Sequence, residues 1–73
     1  MPNPHQPHIG AIPAHFYLRL RLERAHELIE QSDMSILAIG IACGFKSASH
    51  LSRAYRAQFG ASPQSSRALV KRR

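Results

Sequence analysis

Between Ser35 and Gly60 the chain carries two short runs of helical periodicity separated only by Gly-Phe-Lys-Ser, and this limits its fold more than any other feature. In the first run, "ILAIGIAC", Ile36, Ile39 and Cys43 share one face. In the second, Leu51, Ala54, Tyr55, Gln58 and Phe59 fall at i, i+3, i+4, i+7 and i+8, with only Gln58 interrupting the apolar stripe. Gly44 suits the left-handed conformation that ends a helix, and Phe45 is placed to fold back on the helix it terminates. Ser35 and Ser47 are placed to cap the two helices, and Gly60 to stop the second near Phe59. Two helices joined by so tight a turn form a helical hairpin or a helix-turn-helix. The chain is therefore expected to be all-α, a small helical domain.

The flanking residues extend that reading. Leu18, Leu22, Ala25 and Ile29 repeat at helical spacing, widened by Leu28, so one long helix is expected from Pro13 to Gln31, with Pro13 at its first position. The alternation in "YLRLRLE" is period two over only a few residues, and the longer helical register explains it. Ser62-Pro63 is a capping serine followed by a helix-starting proline, which predicts a final short helix through Leu69. Residues 1–9, with three prolines and no periodicity, read as a disordered leader; residues 10–70 form the domain, and residues 71–73 a basic tail. Gly40 inside the second helix costs up to ~1 kcal/mol against alanine. It suits a place where another helix crosses closely.

Several function classes drop out early. With 73 residues there is room for one small domain, and with one cysteine no intramolecular disulfide is possible. Cys43 falls on the apolar side of its helix and reads as a small core residue. No apolar run approaches a membrane span, and the start lacks the features of a secretory signal, so a cytoplasmic protein is expected, with no membrane partner. His5 and His8 are spaced like two metal ligands but have no third, so no metal is expected. No nucleophile–base pair and no phosphate-binding glycine loop is present, so neither an enzyme nor a cofactor is expected.

Charge points the other way. All four acids, Glu23, Glu27, Glu30 and Asp33, precede residue 34, and the rest of the chain carries Lys46, Arg53, Arg56, Arg67, Lys71, Arg72 and Arg73 with no carboxylate side chain. A segment of one sign sets up a field that concentrates polyanions. The front of the second hairpin helix, Lys46 to His50, is small or hydrogen-bonding, which lets a helix axis approach base edges. Arg53 lies one turn further, on the Ser49 face, within reach of a guanine edge or a phosphate, and Arg56 a turn beyond suits phosphate. The expected partner is double-stranded DNA. The competing readings are an ordinary solvated helical hairpin, and a protein-interaction fragment that pairs with a full-length homologue or RNA polymerase through the long helix.

The residues "RLERAHELIEQSDMSILAIGIACGFKSASHLSRAYRAQFGASPQSSR", and within them the spacing "I..I...CGF.S.SHLSRAYR..FG.SP...R", resemble the C-terminal half of an AraC/XylS-type DNA-binding domain. The likeness runs from about Gly10 to Leu69, and the wording of "ACGFKSASHLSRAYR" is closest to GlxA-like members. It implies a homeodomain-like helical fold and a transcription regulator that reads specific DNA through two helix-turn-helix units joined by a long helix. Here residues 13–31 match the long helix, Ile36 to Cys43 the first helix of the second unit, and Ser47 to Phe59 its recognition helix. The positions implied to face bases are Ala48, Ser49, His50, Ser52 and Arg53, and Lys46, Ser47, Arg56 and Arg67 are expected at phosphates. The first unit and a sensor domain are expected to be missing, which makes a remnant of a truncated gene a further reading. Gly40 stands where the family usually has alanine, and Ala38 where it has the glutamate of a capping box. Ile12 replaces a serine or threonine cap, Leu51 a phenylalanine, and Ser66 a tyrosine.

Overall fold

A computed structural model describes residues 13–71, which form four helices: α1 (Ala14–Gln31), α2 (Ile36–Ala42), α3 (Ala48–Phe59) and α4 (Pro63–Lys71). The expected leader, Ile12, and the end of the basic tail, Arg72 and Arg73, lie outside the described residues.

α1 starts one residue later than its proline suggests. Pro13 is the N-cap, with extended backbone, and its carbonyl accepts from the amides of Phe16 and Tyr17. No side chain caps this end. At the other end Ser32 closes the helix twice over. Its amide and its hydroxyl both donate to the Leu28 carbonyl, at 3.0 and 2.7 Å, which satisfies a main-chain acceptor that the helix leaves open.

The three later helices start as their capping residues dictate. The hydroxyls of Ser35, Ser47 and Ser62 accept from the amides of Ala38, His50 and Ser65 at 3.0, 3.0 and 3.1 Å. Each cap is worth about 1 kcal/mol. In α2 only half of a capping box is present, because Ala38 has no carboxylate to return the bond. α4 begins at Pro63 as expected and runs past Leu69 to Lys71.

The core is one cluster: Leu22, Ala25 and Ile29 of α1, Ile39 of α2, Cys43 and Phe45 of the turn, and Leu51 and Tyr55 of α3. Burying each large apolar side chain contributes roughly 1.5–3 kcal/mol. Pro63, at the start of α4, is also fully buried. Phe59 departs from its expected core place. It keeps 36% of its surface, with its ring stacked on His26 at a centroid distance of 5.0 Å. The stripe on α3 therefore ends one turn early, and the half-buried His26 takes the place of an aliphatic partner.

α3 does cross α2 at Gly40, but at ordinary distance. A methyl group there would lie 3.5 Å from the Ser47 carbonyl oxygen and 3.6 Å from Leu51 Cβ. The crossing has room for alanine.

Candidate nucleic-acid interface

The turn between α2 and α3 is built by hydrogen bonds that its sequence makes available. The Gly44 amide donates to the Ile41 carbonyl at 3.1 Å, and the Phe45 amide to the Gly40 carbonyl at 2.8 Å. This is the paired bonding of a Schellman cap, and it requires the positive φ of 89° that Gly44 supplies. Phe45 folds back into the core, 4% exposed. The chain then passes Lys46 and enters α3 under the Ser47 cap.

From α1, Arg21 reaches across to this turn. Its Nε donates to the Cys43 carbonyl at 3.0 Å, and its Nη2 donates to the Gly44 carbonyl. Its guanidinium carbon sits 4.5 Å from the centre of the Phe45 ring. The far side of the domain has an equivalent. Arg67 of α4 donates to the carbonyls of Ile29 at 3.2 Å, Met34 at 2.6 Å and Ser32 at 3.1 Å. Arg67 was expected at a phosphate. Its guanidinium ties the last helix to the end of α1 and the loop after it, half-buried.

The remaining expected residues do come together. Lys46, Ser47, Ser49, Arg53 and Arg56 are exposed, and Ala48, His50 and Ser52 are half-buried along the same stretch. Ser49, Ser52, Arg53 and Arg56 follow one another at i, i+3, i+4 and i+7, which puts them on one face of α3. The opposite face holds the buried Leu51 and Tyr55. Among the described residues the ion pairs are Arg19–Glu23, Arg24–Glu27 and His26–Glu30, all within α1. None engages Lys46, Arg53 or Arg56, so those charges face outward with no internal counter-ion.

Two buried ionisable groups lie behind this face. Burial pushes the Cys43 thiol above its ordinary range, partly offset by Arg24 and Arg21. A thiol held protonated is a packing group rather than a nucleophile. Burial likewise raises the Tyr55 phenol, with the Ser66 hydroxyl opposing and the Glu30 carboxylate adding to the shift. Among the described residues no three metal-ligating side chains converge. No helix of the described residues is long and apolar enough to cross a membrane.

Arg21 and His26 were not singled out from the sequence, although a signal for both exists. Each sits three or four residues from two members of the α1 apolar stripe, at its edge, where a polar side chain is drawn against the neighbouring helices. A polar residue at a stripe's border therefore deserves a partner, and both have one.

The model of the family described as "Helix-turn-helix domain" matches residues 6–68. The chain is 49% identical over 63 residues to the HTH-type transcriptional regulator CdhR of Pseudomonas aeruginosa, covering 86% of this chain and 19% of that protein. It is 43% identical over 60 residues to the HTH-type transcriptional regulator ArgR of the same organism, covering 82% of this chain and 18% of that protein. The chain thus spans about a fifth of the length of these curated relatives. Among solved structures it resembles an AraC-type DNA-binding domain protein of Chromobacterium violaceum, at a TM-score of 0.78 and 44% identity over 86% of this chain and 56% of that one. It also resembles the DNA-binding domain of AdpA, solved in complex with a target DNA, at a TM-score of 0.80 and 33% identity over 88% of this chain and 58% of that one. The finer likeness to GlxA-like members rests on the wording of residues 42–56 alone. The matched family is one of DNA-binding regulator domains rather than of enzymes. By family match, relatives and architecture together, the chain belongs to the helix-turn-helix domains of the AraC type.

Proposed function

We propose that this domain binds duplex DNA sequence-specifically as part of a transcription regulator, with α3 in the major groove. The observation that carries the proposal is the outward face of α3. It is basic, free of acids and without internal counter-ions, and it stands behind a turn fixed by hydrogen bonds. Ala48, Ser49, His50, Ser52 and Arg53 meet base edges. Lys46, Ser47 and Arg56 hold phosphates at the flanks. The relatives' names as transcriptional regulators, and a similar domain solved on its target DNA, support the same reading. A cytoplasmic site of action follows from it.

Arg53 decides between reading and mere holding. Arg53→Ala costs ~1–3 kcal/mol on a selected duplex and flattens discrimination at one base position, while a scrambled duplex loses much less. With three to five phosphate contacts, log K falls against log salt with a slope of about −3 to −4.5. Equal losses on both duplexes demote Arg53 to a phosphate contact. Binding that ignores salt, or no binding at low ionic strength, overturns the proposal.

The second reading, pairing with a full-length homologue or RNA polymerase, has one observation in its favour. Phe16, Tyr17 and Leu20 form an apolar patch on α1, each more than 40% exposed. Capture of such a partner without DNA, lost on Leu20→Glu, is its test.

A further inference from the structure

We propose that Arg21, on α1 rather than α3, is the positioning residue of the DNA-facing side of α3, acting through Phe45 on His50. The proposal rests on the reading of α3 as the DNA-binding helix.

The contacts run in one line from α1 to α3. Arg21 donates to the carbonyls of Cys43 and Gly44, two consecutive acceptors at the C-terminal end of α2. That end carries the partial negative charge of its open carbonyls, so a cation is favoured there. Two donors from one rigid fork fix the peptide planes of the turn, which a single donor does not. The same guanidinium lies 4.5 Å from the Phe45 ring centre. The Phe45 ring in turn meets the His50 imidazole edge-on, with centroids 5.2 Å apart and planes at 82°. His50 is half-buried in the first turn of α3, and its amide is already held by Ser47 Oγ at 3.0 Å. With the amide capped and the ring braced by Phe45, the imidazole has little rotational freedom left.

The turn has no slack to absorb a change. A Cβ on Gly44 would stand 3.2 Å from Arg21 Nε, closer than side chains ordinarily approach. The guanidinium therefore fills the space over the turn. A lysine at 21 keeps the charge and the length but loses the fork and the flat surface. It satisfies one carbonyl and uncovers the face of the Phe45 ring on which the guanidinium lay, so the core-held ring, and the His50 imidazole set against it, settle differently. The base-facing histidine is thus set by a residue of another helix.

The test uses the full chain, with Arg21→Lys, Phe45→Leu and His50→Ala, alone and as Arg21→Lys with His50→Ala. Melting by circular dichroism establishes that each variant folds; Phe45→Leu carries the comparison where Arg21→Lys does not. Each is titrated with a selected and a scrambled duplex at one salt concentration. Arg21→Lys is expected to lose about tenfold on the selected duplex and under twofold on the scrambled one, since the charge is kept. In the His50→Ala background the loss on the selected duplex disappears, because the two residues act as one unit. In the DNA-free protein at fixed pH, the His50 ring resonances shift on Arg21→Lys. Equal losses on the two duplexes, additive losses with His50→Ala, or unmoved His50 resonances overturn the proposal and leave Arg21 a structural residue. Failure of the unaltered chain to distinguish the duplexes overturns the DNA reading and the positioning role with it. The His50 resonances then still show whether Arg21 and His50 are coupled.

Discussion

The Tyr55 hydroxyl lies 2.8 Å from Nδ1 of His26, a hydrogen bond that joins α3 to α1 across 29 residues of sequence. Nε2 of the same imidazole faces the Glu30 carboxylate at 3.4 Å, and Phe59 stacks on the ring. Tyr55→Phe keeps the buried ring and removes the hydroxyl, with its bond to His26 and its interaction with the Ser66 hydroxyl. It is expected to cost about 1–2 kcal/mol, read as a lower urea midpoint with an unchanged slope. An unaltered midpoint would show that water replaces the phenol at no cost.

Gly40→Ala is expected to stabilise the domain. The added methyl makes ordinary contacts with Ser47 and Leu51, and the backbone of Gly40 is not among the positive-φ positions. The gain is about 0.5–1 kcal/mol from lower helix entropy cost, which raises Tm by about 2–8 °C in a domain of this size. A lower Tm would mean that α2 and α3 approach more closely than their distances indicate.

Stability should fall on the alkaline side. Cys43 and Tyr55 both have pKa values raised by burial above the ordinary 9.0 and 10.0. A raised folded value means that the unfolded chain releases its proton first. Their contribution is fully present below those ordinary values and is lost as pH rises through the folded ones. Urea titrations from pH 7 to 11 should show a plateau and then a decline beginning near pH 9. Cys43→Ala removes the earlier part of that decline. A decline of the same onset in that variant assigns it to other groups.

Arg67→Met separates scaffold from contact. Three main-chain carbonyls lose a charged donor, so a loss of about 2–3 kcal/mol is expected. At a temperature where the variant stays folded, its salt slope on DNA should match that of the unaltered chain. A slope shallower by about one unit would restore Arg67 as a phosphate contact.

The helices were legible because their ends are written in residue types with local consequences. Ser35, Ser47 and Ser62 cap from their own side chains, and Gly44 and Gly60 supply the left-handed turns at φ 89° and 80°. These are bonds between near neighbours, which sequence spacing determines. What escaped the sequence was long-range. Arg21 and Arg67 reach carbonyls 22 to 38 residues away, and even where a stripe's border marks a residue such as Arg21, spacing does not say which distant main chain it meets. The face of α3 was legible in outline for the same reason as the caps, since helical spacing alone groups Ser49, Ser52, Arg53 and Arg56. Phe59 was misplaced because its spacing fits the stripe, while its actual neighbour His26 lies on another helix.

The hydrogen bonds of the two arginine joints all go to main chain. A carbonyl oxygen is the same whichever amino acid presents it, so substitutions at Ile29, Ser32, Met34 or Cys43 leave the acceptor unchanged wherever the backbone holds its course. Such joints tolerate drift. Related chains can exchange the residues around them without having to reinvent how the helices are held. A scaffold fastened in this way is suited to diversification, with the joints inherited and the recognised sequence changed.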